Sequence, residues 1–555
     1  MKLKKNLMLL MCLTGAVFAS CVDTPQNEVS VEKFGAIPND GKSDFEALRE
    51  ATAYCRENPG TILFFPPGKY DIDNEKARKI EFEAVSGAYG ENVQGTLFKP
   101  DGPYVTALDL RDCDNTTIKA HGATLFLHGW YEVVTMQGAE NITLEGISIL
   151  YNRPPSTIGR IVESNDEWFD AEFDTERYRF LDEKVTGRLH FFDNVRNRLY
   201  TGWASKKELL APGKIRFHSK WNPAVGDYFV LRHGGHYRPA IMVKECENVV
   251  IRDVKIHSQP GMGIVGHLTK DIMIDNLQVV PEVGSVISSN TDATHFTSCS
   301  GTITIQNSKF KGQGDDCTNI HGYYYRMYPE ADNKIEIRIE GADLHALSLD
   351  YPQIGDTMIA IDNKNMSEQG RYTVQSVDTS SVDWKVVIGL DKAVEPEKFE
   401  NCYMWNYSRF PKVRIYNNSV HSHLARSFLI KSRDVIIAKN CILNSTITAI
   451  KLGAELGWRE SGPAENVLVE ENYITGCGYA AGADVPSCIT LSTEARELPP
   501  HLNKNIVIRN NVFDTDKAVA VLLKDAENIV VENNMANKKD YVRMENCNNV
   551  KIDGK

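Results

Sequence analysis

One phrase recurs along much of the chain: an Asn or Asp, two or three alternating aliphatic residues, a polar pair, then one more apolar residue. It stands at Asn141-Ile142-Thr143-Leu144, Asn248-Val249-Val250-Ile251, Asp271-Ile272-Met273-Ile274 and Asp434-Val435-Ile436-Ile437. Further copies are Asn466-Val467-Leu468-Val469, Asn505-Ile506-Val507-Ile508, Asn528-Ile529-Val530-Val531 and Asn549-Val550-Lys551-Ile552. Alternation with period two over four to six residues predicts short strands. The copies at 248 and 271, and at 505 and 528, are 23 residues apart; longer gaps elsewhere fit loop insertions. A unit in the low twenties is too short for helix pairs or propeller blades and suits one coil of a parallel β-helix. The leading Asn and the pairs Asn417-Asn418, Asn510-Asn511 and Asn533-Asn534 suit turns, where an amide bonds its own coil and stacks on the coil below. The Leu-x-x-Leu-x-Leu spacing of a leucine-rich repeat is missing.

The start of the repeat needs a cover, because an open solenoid end exposes unpaired strand edges. Phe45, Leu48, Ala51 and Cys55 fall on one face of a predicted helix, and Ser43 with Glu46 three residues on reads as a capping box. Thr61 to Tyr70 then reads as strand and turn. Two stretches, about Tyr151–His233 and Tyr325–Tyr407, lose the coil phrase. They end alike, on Val225-Gly226-Asp227-Tyr228-Phe229-Val230 and Ile354-Gly355-Asp356-Thr357-Met358-Ile359, and read as two small β-barrel-like inserts.

At the N-terminus Lys2, Lys4 and Lys5 precede an apolar run from Leu7 to Ala19, which predicts a secretory signal and not a spanning helix. Phe18-Ala19-Ser20-Cys21 resembles a bacterial lipobox, with Cys21 as the lipidated residue. The expected address is therefore export, as a bacterial cell-envelope lipoprotein of the outer membrane or periplasm. The division that follows is a signal over 1–20, a tether over 21–30 and a β-helix part with its capping helix over 31–150. An insert over 151–235 precedes the catalytic coils at 236–324, then come a second insert over 325–407 and a last β-helix part over 408–555. The remaining ten Cys are scattered without a CxxC pair, which gives a zinc site no support and suits buried thiols. With 62 basic and 74 acidic side chains the net charge is −12. That excess argues against nucleic acid and against polyanionic substrates.

The densest polar cluster follows the coil at Ile272. Ser289-Asn290-Thr291-Asp292-Ala293-Thr294-His295-Phe296 is followed, one coil later, by Gly312-Gln313-Gly314-Asp315-Asp316-Cys317-Thr318-Asn319-Ile320-His321-Gly322. Asp292 and Asp315 are 23 residues apart, so they stack at roughly 4.8 Å and face one groove. Adjacent strand residues point opposite ways, so Asp315 and Asp316 both reach the groove only at a bend, which Gly312 and Gly314 permit. Three carboxylates so close raise one another's pKa: one keeps a proton while another stays ionised, as protonating a leaving oxygen and activating water require. Calcium ligation and solvated turn acids are the competing readings, and His295 and His321 beside the trio favour catalysis. Weaker candidates for substrate contact are Arg238, His267 and Lys431, and pairing with a structural carboxylate suits Arg238 equally. Trp458 could stack on a sugar face, but a buried or insert-facing position is the favoured reading.

Asn-Thr-Asp, Asp-Asp and His-Gly on successive coils resemble the polygalacturonases, glycoside hydrolase family 28, although Asn319-Ile320-His321-Gly322 stands where that family has Gly-His-Gly. From about Val29 to the C-terminus the chain more closely resembles glycoside hydrolase family 110, exo-acting α-1,3-galactosidases of the pectin-lyase-like superfamily. The segments at 290–296 and 314–317 and the two inserts carry this likeness. The resemblance implies an all-β fold, a right-handed parallel β-helix with two inserted β-barrel-like domains. It also implies inverting hydrolysis of terminal α-1,3-linked galactose from blood-group-B-type glycans, with no cofactor and no metal. By analogy Asp315 is the general acid and Asp292 and Asp316 handle the water, with the acid and base carboxyls about 6.5–9.5 Å apart. The expected partner is an oligosaccharide or glycoconjugate, with no nucleic acid, a membrane reached only through the lipid, and homo-oligomer formation left open. The alternatives are a polygalacturonase-like hydrolase of another glycan, a calcium-dependent lyase, and a non-catalytic glycan-binding surface β-helix.

Overall fold

The computed structural model describes residues 27–90, 102–179, 188–233, 236–338, 351–379, 386–482, 484–497, 499, 501–515 and 519–554. Cys21 and the signal lie outside them. Most of the chain winds as a right-handed parallel β-helix. A coil is three short strands; Thr294–Thr297, Ser300–Gln306 and Lys309–Lys311 make one. Each face is a parallel ladder in register: Ile264 pairs Thr294, Thr294 pairs Thr318, and Thr318 pairs Phe428. Alternate residues turn inward, so Phe296, Ile303, Ile305, Phe310 and Ile320 join one apolar core that extends from Val31 to Tyr541. Each such side chain contributes roughly 1.5–3 kcal/mol by leaving water.

The recurring Asn or Asp is a turn residue. Asn141, Asn248, Asp271, Asn466, Asn505 and Asn528 all sit at φ between 53° and 59°, the left-handed region that Asn tolerates better than β-branched residues. Their amides stack between coils, Asn248 on Asn141 at 3.1 Å and Asn528 on Asn505 at 3.2 Å. A second, buried ladder links Asn418, Asn440, Asn472, Asn511 and Asn534 at 2.9–3.0 Å, satisfying backbone groups that the coil's corners leave unpaired.

The helix Phe45–Glu57 covers the first coils with Phe45, Leu48, Ala51 and Cys55 buried. Its start differs from the capping box expected. Ser43 Oγ accepts from the Phe45 N–H at 3.4 Å, whereas its own proton goes to Asp73 O, and Glu46 is exposed. Asp44, at the N-cap, turns away and accepts from the N–H groups of Ile37 and Asp71 at 3.0 and 3.1 Å. The tie to the neighbouring coil wins over the local cap.

The first insert, from Ser156–Ser164 to Tyr228–Arg232, is a seven-stranded antiparallel sheet wrapped around Phe169, Phe191, Phe217 and Phe229. The second, from Tyr325–Ala331 to Cys402–Asn406, closes as a six-stranded barrel over Met327, Ile337, Met358 and Met404. Both use a Gly-Asp turn, with Gly226 at φ 95° and Gly355 at φ 91°, positions that suit glycine alone. Ten cysteines are described, eight of them buried. Among the described residues no helix is long and apolar enough to cross a membrane.

Candidate active site

The acids stand in the corner that leads each coil into its next first-face strand. Residues 312–317 precede Thr318–Tyr323, and 289–293 precede Thr294–Thr297 in the coil below. Gly312 turns the chain at φ 75°, and at Gly314 a Cβ would lie 2.3 Å from Asn290 O. The two corners are laced together, Ala293 N–H to Asp316 O at 3.1 Å and Gly314 N–H to Ser289 O at 2.9 Å. This close packing brings Asp292, Asp315 and Asp316 together, with a carboxylate oxygen of each within 4.8 Å of the others. The spacing is tighter than the roughly 6.5–9.5 Å expected between the acid and base of an inverting enzyme, so distance by itself does not argue for inversion.

The three carboxyls differ in what holds them. Asp316 is buried and gripped by Arg426, whose N–H donates to Oδ1 at 2.8 Å and whose Nη2 lies 3.0 Å from Oδ2. Burial pushes Asp316 well above the usual carboxylate range; the Arg426 charge opposes this, and Asp315 and Asp292 add to it. Asp292 is likewise raised by burial and then by the Asp315 and Glu460 charges. Asp315 alone of the three is partly exposed, which leaves it the most accessible to a bound ligand.

A histidine pair fixes the proton beside Asp292. His321 Nδ1 donates to Gly322 O at 2.7 Å, so its Nε2 accepts from His295 Nε2–H at 2.9 Å. His295 Nδ1 then faces Asp292 Oδ2 at 2.7 Å. This network assigns the tautomers and leaves one proton between Asp292 and His295: either the carboxyl carries it or the imidazole does. Burial pushes His321 down to about 4, keeping it an uncharged acceptor at neutral pH.

One coil on from His321, on the same outward face of the first-face strands, lies an ionic cluster. Lys431 is fully buried and bonds Glu460, with Glu455 at 3.2 Å and Asn319 Oδ1 at 3.4 Å. Glu455 also lies 3.6 Å from Arg426. Burial disfavours charge on Glu460, yet His321 and then Lys431 hold it well below its ordinary range. The glutamates sit on a hairpin that folds back from the strand Thr448–Leu452, with Ser461 and Glu460 pairing antiparallel to Gly322 and Tyr323.

Of the residues singled out in the sequence, the trio, His295 and His321 meet at one place. Lys431 joins them from the next coil, its ammonium enclosed by Glu455, Glu460 and Asn319 and not offered to a ligand. Arg238 does not face the trio: it is buried, 3.1 Å from Glu132 Oε2, with its guanidinium 3.8 Å from the Tyr104 ring centre. A buried carboxylate needs a cation more than the groove does. His267 is also apart, bonded to Thr297 Oγ1, which the register places between it and His321. Trp458 is 59% exposed, so the burial favoured for it does not hold. Arg426, Glu455 and Glu460 were not legible, because the second insert breaks the count between Asp316 and Arg426 and the glutamates sit on a hairpin outside the coil phrase.

A family model described as glycosyl hydrolases family 28 matches residues 218–337, the stretch that holds all three aspartates. "Alpha-1,3-galactosidase A" of Shewanella woodyi is 27% identical over 88% of this chain and 82% of its own length. "Alpha-1,3-galactosidase A" of Bacteroides thetaiotaomicron is 24% identical over 93% of this chain and 94% of its own. Proteins named α-1,3-galactosidase align with this chain nearly end to end. Among solved structures, a hyperthermoactive exopolygalacturonase from Thermotoga maritima covers 96% of this chain and 93% of its own at 13% identity and a TM-score of 0.43.

Proposed function

We propose that this chain is a glycoside hydrolase that removes terminal α-1,3-linked galactose, blood-group-B-type glycans included, by a single displacement. The convergence of Asp292, Asp315 and Asp316 in one corner of adjacent coils carries the reading, and the relatives' names supply the linkage. Asp315, the accessible carboxyl, gives its proton to the glycosidic oxygen as the bond to C1 breaks. Asp316 and the Asp292–His295 pair hold a water on the other side of the sugar and take its proton as the new C1–O bond forms. The products are β-galactose and the shortened glycan. Water is the better nucleophile here, since Asp316 is tied at both oxygens by Arg426 and Asp292 is bonded to His295. A panel of α-1,3-, α-1,4- and α-1,6-galactosides tests the linkage, with release of galactose from the α-1,3 members expected. Release from other linkages alone, or from none, contradicts the proposal.

The export signal and Cys21 support a second element of the proposal, a lipid-anchored enzyme of the bacterial envelope. Mass spectrometry of the mature N-terminus tests it: a diacylated Cys21 is expected, and a chain beginning at Ser20 or Met1 contradicts it.

A further inference from the structure

Three exposed tryptophans, Trp203, Trp221 and Trp458, are present among the described residues. Only Trp458 shares a hairpin with groups that touch the acid-bearing corner. The hairpin's legs meet at Glu455 and Glu460, where the Glu455 N–H donates to Glu460 O at 3.1 Å. Both legs are tied to Lys431, and Glu455 lies beside the same Arg426 that grips Asp316.

The turn between the legs is held rigidly. Leu456 is buried against Ile359, Tyr403 and Trp405 of the second insert. The Arg459 guanidinium lies 4.9 Å from the Tyr403 ring centre, and its Nη1 donates to Leu456 O at 3.0 Å. The Gly457 N–H donates to Glu494 at 3.0 Å. A large apolar ring at the tip of so constrained a turn loses little conformational freedom on binding, and its exposure in the free protein is unfavourable. Trp458 is three residues from Glu455 and two from Glu460, in the turn that this pair closes. A pyranose presents a face of C–H groups suited to an indole, with hydroxyls left at the rim.

We propose that Trp458 is the stacking face for the saccharide on the leaving side of the scissile bond, the sugar next to the terminal galactose. The proposal rests on the hydrolase reading above. It makes Trp458 a specificity residue, which selects oligosaccharides over small galactosides without touching the reacting atoms.

The test compares wild type with Trp458→Ala and Trp458→Phe on an α-1,3-galactosyl trisaccharide, and measures inhibition of each by free galactose. Trp458→Ala is expected to raise the trisaccharide KM about tenfold, with kcat, the galactose inhibition constant and the melting temperature close to wild type. Trp458→Phe is expected to recover most of the loss. An unchanged KM overturns the proposal. Equal weakening of trisaccharide and galactose also overturns it, since the ring then serves the galactose site. Failure of wild type itself to cleave the trisaccharide is a separate result: it removes the hydrolase reading and this proposal together.

Discussion

Arg426 holds Asp316 at both carboxylate oxygens, by its main-chain N–H at 2.8 Å and its guanidinium at 3.0 Å. The two residues are 110 apart in the chain and one coil apart in space. Main-chain and side-chain donors from one residue fix the position of a buried carboxylate and oppose its protonation. The barrel-forming insert lies between them in sequence, so winding of the solenoid is what brings them together.

Removing the guanidinium takes away the charge that opposes the upward shift at Asp316. In Arg426→Met the Asp316 carboxyl gains a proton more readily, so the base is lost at a higher pH than in wild type. The acidic limb of the kcat/KM profile is expected to move up by about one unit or more, with the melting temperature lowered, because breaking a buried ion pair costs about 3–5 kcal/mol. An acidic limb that stays in place contradicts the assignment of Asp316.

Asp316→Asn keeps the shape and removes the charge. It is expected to lower kcat by about 10²–10⁴-fold with the fold retained by circular dichroism. A divalent-cation chelator is expected to leave wild-type turnover unchanged, since Arg426 and His295 already face the carboxylates. Loss of activity in chelator, restored by calcium, instead identifies the trio as a cation site.

His423 gives a stability signature. It is buried, with Nδ1 donating to Leu424 O at 2.6 Å and Nε2 accepting from Ser427 Oγ at 2.8 Å, and burial pushes it from 6.5 down to about 4. Between these values the unfolded chain binds more protons than the native one. The stability it contributes is therefore full above pH 6.5 and lost as pH falls toward 4. One such group changes stability by at most about 1.4 kcal/mol per pH unit. Melting temperatures from pH 7.5 to 4.5 are expected to fall less steeply in His423→Gln than in wild type. Parallel curves contradict this account.

The repeat was legible because solenoid coils write their period into the chain: the Asn or Asp that opens each phrase is the residue that takes φ near 55°. Convergence of Asp292 with the Asp315-Asp316 pair was legible for the same reason, as no insert separates their coils, but the partner was not: Thr294 pairs Thr318 and Ser289 pairs Gln313, a register that sets Asp292 opposite Asp316 and not Asp315. Arg426, Glu455 and Glu460 were hidden, since the second insert interrupts the count and the hairpin belongs to no coil. For Arg238 the sequence left sugar contact and a structural carboxylate equally open, and the structure pairs it with Glu132, which no spacing in the chain marks. The capping box misled because local spacing cannot foresee a neighbouring coil's unpaired N–H at Asp71.

The most direct measurement of the central claim is proton NMR of the anomer first released from an α-1,3-galactosyl oligosaccharide, before mutarotation. With Asp315 as acid and a water held by Asp316 and the Asp292–His295 pair, β-galactose is predicted to appear first. α-Galactose as the first product, or no galactose at all, contradicts the claim.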